Sequence, residues 1–132
     1  MQEKMKAIVQ VKQGARGIRM QEKEIPRTGD SDILIRVKAA GLCGSDMHIY
    51  RGTIETSGNI GVTIGHEFAG EVVKVGSRVK HWKTGDRVAS DNTGWVCGVC
   101  SGCRAGNPLN CKHRLGLGFE LDGGFAEYVK IG

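Results

Sequence analysis

The sequence has no apolar run approaching the roughly 20 residues that a membrane-spanning helix needs. Lys4, Lys6 and Lys12 also interrupt its beginning before the apolar core of a signal peptide could form. A membrane is therefore not an expected partner, and the cytoplasm is the default compartment. Basic residues outnumber acidic ones, 19 to 14, but they stand singly among Asp and Glu and never form a block of five. Nucleic acid is accordingly not expected either. Aromatic residues are few (Phe 3, Tyr 2, Trp 2), proline occurs twice, and no long amphipathic helical period is present. A helical bundle is thereby excluded. No internal repeat, linker or domain boundary is visible in the 132 residues, which suffice for one domain and fall short of two.

What the chain has in excess is glycine, 21 residues, more than twice the usual share of roughly 7 per cent but with no collagen period. Many turns and close backbone approaches follow from that. With 39% hydrophobic and 25% charged residues, the composition is that of a folding globular chain rather than a disordered one. The runs between glycines suit strands. Residues 7–11 are rich in β-branched side chains, Ile33, Ile35, Val37 and Ala39 alternate with Leu34, Arg36 and Lys38, and residues 68–75 and 87–89 read as short strands bounded by turn residues. Residues 125–131 read as a closing strand, and residues 45–50 as one helical turn. The expectation is a mostly β barrel or sandwich of short strands.

Cys97, Cys100, Cys103 and Cys111 form a C-x2-C-x2-C-x7-C run, four thiols within fifteen residues. Four thiolates at this spacing suit one tetrahedral zinc with no open position, a structural site that staples a glycine-rich loop. A disulfide framework competes, but the cysteine total of five is odd and the context is reducing. An iron-sulfur cluster fits less well, because the ferredoxin run ends in C-x3-C-P and here the last spacing is seven, followed by Lys112.

The fifth cysteine lies in Ala40-Gly41-Leu42-Cys43-Gly44-Ser45-Asp46-Met47-His48, and a second cluster follows in Gly65-His66-Glu67-Phe68-Ala69-Gly70-Glu71-Val72. A lone cysteine is ordinarily buried filler and a lone histidine ordinarily structural. Together with Gly85-Asp86-Arg87-Val88, the four cysteines and Gly123-Gly124-Phe125-Ala126-Glu127-Tyr128, however, these words resemble the medium-chain zinc-dependent alcohol and polyol dehydrogenases. The resemblance covers essentially the whole chain, from Met5-Lys6-Ala7 onward. It implies a mostly β, GroES-like barrel of short strands with a zinc-stapled cysteine lobe, residues 1–132 being the catalytic domain of a longer enzyme whose Rossmann cofactor domain lies elsewhere.

The resemblance further implies that Cys43, His66 and Glu67 hold a catalytic zinc, Glu67 being a direct ligand in polyol dehydrogenase-like members and more distant in others. Where the third ligand is a later Cys or Glu, it lies past Gly132. Asp46 is implied to accept a hydrogen bond from the other nitrogen of His66. By the same resemblance Ser45 would take the substrate proton and His48 would pass it toward solvent. For Asp46 and Ser45 the plainer role is a helix N-cap, and for His48 a solvated surface position. The implied cofactors are zinc, both structural and catalytic, and NAD or NADP held by the other domain. The implied substrate is a small secondary alcohol, a polyol or a threonine-like compound, or the matching carbonyl, and the implied full-length enzyme is a homo-oligomer. The isolated chain is expected to be inactive.

Residues 114–121 begin like a dinucleotide fingerprint but carry Leu121 where the third glycine belongs, so a flexible turn is expected there. His81 and His113 are expected in solvent, with Trp82 and Trp95 covering barrel and lobe. The rival function is a zinc-ribbon binding module without catalysis, in which Cys43, His66 and Glu67 would be incidental.

Overall fold

In the computed structural model, which describes residues 3–54 and 60–132, Met5, Ala7 and Val9 supply the buried side of strand β1 (Lys4–Gln10). An antiparallel ladder from Lys4 opposite Glu24 to Gln10 opposite Ile18 pairs it with β2 (Ile18–Glu24). This second strand was not legible in the sequence. Its residues, Ile-Arg-Met-Gln-Glu-Lys-Glu, carry no apolar alternation and lie mostly exposed, so the ladder to β1 rather than burial makes it a strand.

Strand β3 (Ile33–Gly41) runs straight into helix α1 (Gly44–Arg51), and β4 (Glu67–Val75) returns along it. Next come β5 (Arg87–Ala89), β6 (Thr93–Trp95), the short helix α2 (Ser101–Arg104), β7 (Leu115–Gly116) and β8 (Tyr128–Ile131). The principal sheet has the order β5-β4-β3-β8 with antiparallel pairing throughout, and β6 pairs β7 in a separate two-stranded ribbon. The pairing of β3 with β4 shifts between Leu34 and Ile35 and again between Val37 and Ala39. Such bulges bend a sheet and increase its twist, which lets four strands curl around a core.

That core is the inner face of the curled sheet: Ile33 and Ile35 from β3, Phe68 and Val72 from β4, Val129 from β8, and Leu117 from beyond β7. Each such side chain contributes about 1.5–3 kcal/mol by leaving water. The barrel is closed by β1, whose Ile8 N–H donates to Phe125 O (2.8 Å) while its carbonyl accepts from Ile64 N–H (3.0 Å). The family-implied architecture, a mostly β barrel with a cysteine lobe, is what is observed.

Smaller differences have local causes. The regular part of the closing strand begins at Tyr128, because residues 125–127 spend their backbone groups on β1 and β3 instead. The helical turn expected at residues 45–50 extends to eight residues and ends at Gly52, whose φ of 71° is left-handed. No helix among the described residues is long and apolar enough to cross a membrane.

Candidate functional site

Two clusters of metal-ligating side chains come together, one in the lobe and one at the junction of β3, α1 and β4. In the lobe, one donor atom from each of Cys97, Cys100, Cys103 and Cys111 lies within 4.8 Å of the others. The Sγ atoms of Cys100 and Cys103 are 3.6 Å apart, as are those of Cys97 and Cys111. A regular tetrahedron of 2.3 Å zinc–sulfur bonds has an edge of roughly 3.8 Å, so these separations suit a shared ion. They are far too long for disulfides, and all five cysteines are free.

Backbone amides point at the sulfurs. Cys97 N–H and His113 N–H each donate to Cys111 Sγ, and Cys100 N–H donates to Cys97 Sγ, all at 3.4 Å. Hydrogen bonds from the backbone of Cys103 and Lys112 bring the Cys100 thiol from 9.0 down to about 6. The amide of Cys97 likewise lowers Cys111, whereas burial pushes the Cys103 thiol up to about 12. This loop geometry therefore favours thiolate at two of its four sulfurs before any ion is considered. Arg114 ties the lobe to the ribbon, its guanidinium donating to Thr93 Oγ1 (3.2 Å) and to Asn92 Oδ1.

The second cluster joins residues that are distant in sequence. Glu67 stands opposite Gly41 in the β3–β4 ladder, so His66 and Glu67 arrive beside the end of β3 just where Cys43 begins α1. Donor atoms of Cys43, His66 and Glu67 lie within 4.8 Å of one another. His66 is buried, Cys43 half-buried and Glu67 exposed. Thiolate, imidazole and carboxylate form a donor set that suits zinc and leaves a position free for a further ligand.

Asp46 serves both chain segments. Its Oδ2 accepts the Cys43 N–H at 2.9 Å, the capping role, while its Oδ1 faces His66 Nδ1 at 3.8 Å, in ion-pair range but beyond hydrogen-bond length. Asp46 Oδ1 and His66 Nδ1 are both buried without a hydrogen-bond partner. Buried polar atoms are rarely left so. A His66 that ligates a cation through Nε2 carries its proton on Nδ1, directed at this carboxylate, which is the arrangement the two unpartnered atoms fit.

Ser45 Oγ lies 3.4 Å from His66 Nε2, on the ligand side of the ring. His48, one turn further along α1, is exposed and bonded through Nδ1 to Thr53 Oγ1 at 2.8 Å. That threonine partner was not anticipated from the sequence. Nor was the contact of Phe119 with His66, their ring centroids 5.1 Å apart and tilted by 32°. Its signal was an aromatic residue enclosed by glycines in a stretch read only as a flexible turn. Residues 116–121 instead form a closed, hydrogen-bonded turn. His81, His113, Trp82 and Trp95 are exposed, the two tryptophans to 46% each. A groove of about 450 Å³ lined by Pro26, Trp95, Leu115, Leu121 and Lys130 includes none of the ligands of either cluster.

Compared with known proteins, residues 29–132 match the family described as alcohol dehydrogenase GroES-like domain. A sorbitol dehydrogenase of Halalkalibacterium halodurans is 45% identical over 125 residues, 95% of this chain and 36% of that protein. An L-threonine 3-dehydrogenase of Caldanaerobacter subterraneus is 46% identical over 112 residues, 83% of this chain and 32% of that protein. A short chain alcohol dehydrogenase of Escherichia coli CFT073, solved with NADH, superimposes with a TM-score of 0.83 at 38% identity, covering 97% of this chain and 36% of that one. The chain thus spans about a third of the length of the curated relatives it matches.

Proposed function

The chain belongs to the family of alcohol dehydrogenase GroES-like domains, and from that membership we propose that residues 1–132 are the zinc-bearing catalytic domain of a longer NAD- or NADP-dependent dehydrogenase of secondary alcohols, polyols or threonine-like substrates. The observation that carries this reading is the convergence of Cys43, His66 and Glu67 from two distant segments onto one locus, with Asp46 behind His66. A zinc-ribbon module would leave those four residues without a shared task. Cys97, Cys100, Cys103 and Cys111 hold a structural zinc in the same reading, and Cys43, His66 and Glu67 the catalytic one. When bound there, zinc supplies a Lewis acid that lowers the pKa of an alcohol.

The chain's own residues supply the proton path. Ser45 Oγ, beside His66 Nε2, is placed to take the hydroxyl proton of a substrate. Ser45 and His48 are three apart on α1 and so share a face, and His48 is exposed, which leads the proton outward. Asp46 holds the tautomer of His66 and the start of α1 together. The hydride acceptor, NAD or NADP, is bound by a part of the protein outside this chain, in keeping with the cofactor named for the Escherichia coli relative. The sorbitol and threonine relatives support the substrate class. In this reading the full-length protein is a cytoplasmic homo-oligomer that meets neither nucleic acid nor membrane, and the singly scattered charges of residues 1–132 offer nucleic acid no basic patch.

The test uses the full-length protein with polyols, secondary alcohols and threonine, each with NAD and NADP. Turnover is expected with at least one substrate, and Cys43→Ser or His66→Ala should abolish it while the lobe keeps its zinc. Normal activity in the Cys43→Ser protein would refute the reading.

A further inference from the structure

Residues 116–121 have no part in the proton path, yet they lie against His66. Their turn is closed several times over. Gly118 N–H donates to Leu121 O (2.7 Å), Glu120 N–H and Leu121 N–H donate to Gly116 O (3.1 Å each), and Glu120 Oε2 accepts the Gly116 N–H (2.7 Å). Gly118, at φ 79°, is seated directly on Gly65, since a Cβ at that position would lie 2.9 Å from the Gly65 nitrogen. Immediately after, Gly124 N–H donates to Gly65 O at 2.7 Å. The turn is therefore fixed to the residue that precedes His66, and from that seat Phe119 lays its ring on the imidazole.

The ring of His66 turns about a single broad torsion once its Cγ is placed. Asp46 Oδ1 marks the Nδ1 edge and Ser45 Oγ the Nε2 edge, both by distance rather than by a short hydrogen bond. Neither of these longer contacts by itself blocks rotation about that torsion. The Phe119 contact does, because a tilt on that side meets the phenyl ring, and it also replaces water there with an apolar wall.

We propose that Phe119 is a positioning residue for His66: its ring fixes the imidazole plane in which Nε2 is offered to a metal shared with Cys43 and Glu67. This rests on reading Cys43, His66 and Glu67 as a zinc site, and the test separates the two claims.

Full-length protein stripped of metal is titrated with zinc against a chromophoric chelator. The visible spectrum of cobalt(II) at the second equivalent is taken as the difference between protein loaded with one and with two equivalents. Phe119→Ala is expected to weaken the second equivalent by about 10- to 100-fold, as loss of a group that orients a metal ligand does, and to shift the cobalt bands. The tight lobe equivalent should not move. Phe119→Tyr retains the ring and should bind as the wild type does. Phe119→Leu retains apolar bulk without a flat ring, keeps the test open if the alanine variant does not fold, and should show shifted bands and weaker binding. Wild-type affinity and spectrum in the leucine and alanine variants overturn the proposal, and loss of the second equivalent in His66→Ala then shows that the zinc site itself stands. A second equivalent that survives His66→Ala overturns the zinc-site reading and the positioning role with it.

Discussion

Asp46 joins Cys43 to His66 by using its two oxygens separately, Oδ2 on the Cys43 amide at 2.9 Å and Oδ1 toward the His66 ring at 3.8 Å. One buried carboxylate thus caps the start of α1 and presents its charge to the Nδ1 edge of a residue 20 positions downstream. Asp46→Asn keeps the shape but offers an uncharged amide. It should weaken zinc at the Cys43 site by about 10- to 100-fold while lobe zinc is unchanged, measured by chelator competition. Asp46→Ala should in addition lower fold stability by about 1 kcal/mol through the lost cap, measured by denaturant unfolding. Equal zinc affinity in wild type and Asp46→Asn would show that Oδ1 does nothing for His66.

The lobe should hold its zinc through neutral pH and release it below about pH 6, where Cys100, held near that value by the amides of Cys103 and Lys112, takes its proton. The sign follows from a folded value below the ordinary 9.0: the favourable contribution is complete above 9.0 and fades as pH falls through about 6. Zinc release followed against pH checks this, and release already complete between pH 8 and 7 contradicts it. Cys100→Ser should empty the lobe and expose residues 94–115 to proteolysis while sparing the barrel.

Asp122 Oδ1 accepts both the Thr63 N–H (2.7 Å) and Lys23 Nζ (2.6 Å). Thr63 is fully buried, so Asp122→Ala strands its amide and should cost about 1–3 kcal/mol in a denaturant melt. Lys23→Met removes the ion pair and the Nζ bonds to Gly61 O (3.0 Å) and Thr63 Oγ1 (3.2 Å) but leaves the Thr63 amide paired, and should cost less. The opposite order would mean that the Lys23 bonds to Gly61 and Thr63, not the Asp122 bond to the Thr63 amide, are the stabilising contacts.

The 132 residues alone should bind neither NAD nor NADP in a calorimetric titration. Residues 114–121, which start like a dinucleotide fingerprint, fold back to Leu121 instead of leading into a helix whose N-terminus could take a pyrophosphate. Micromolar binding would require another cradle in this chain.

The cysteine cluster and the strand-rich class were legible from residue identity and spacing, whereas the grouping of Cys43, His66 and Glu67 was implied only by the resemblance of the words around them. Four cysteines in fifteen positions can hardly avoid one another, and β4 buries alternate residues as a half-buried strand does, while β3 departs from its expected alternation by burying Leu34 along with Ile33 and Ile35. β2 was not legible, since its strand character comes from its partner rather than from its own residues. The Phe119 contact was hidden for another reason. It depends on Gly118 meeting Gly65, 53 residues apart in the chain, and no local pattern encodes such a meeting. The dual use of Asp46 was half visible: either role could be read, but only the geometry assigns each to its own oxygen.

The seam at Ile8 also orders events in time. Its carbonyl and amide are satisfied by Ile64 and by Phe125, so the first strand cannot be fully paired until residues near the other end of the chain exist. Contacts of such long sequence separation form late and slowly. The lobe is the reverse, since its four sulfurs belong to one short segment that needs no distant partner. During synthesis, therefore, residues 97–111 can draw their four sulfurs together while β1 still waits for Phe125.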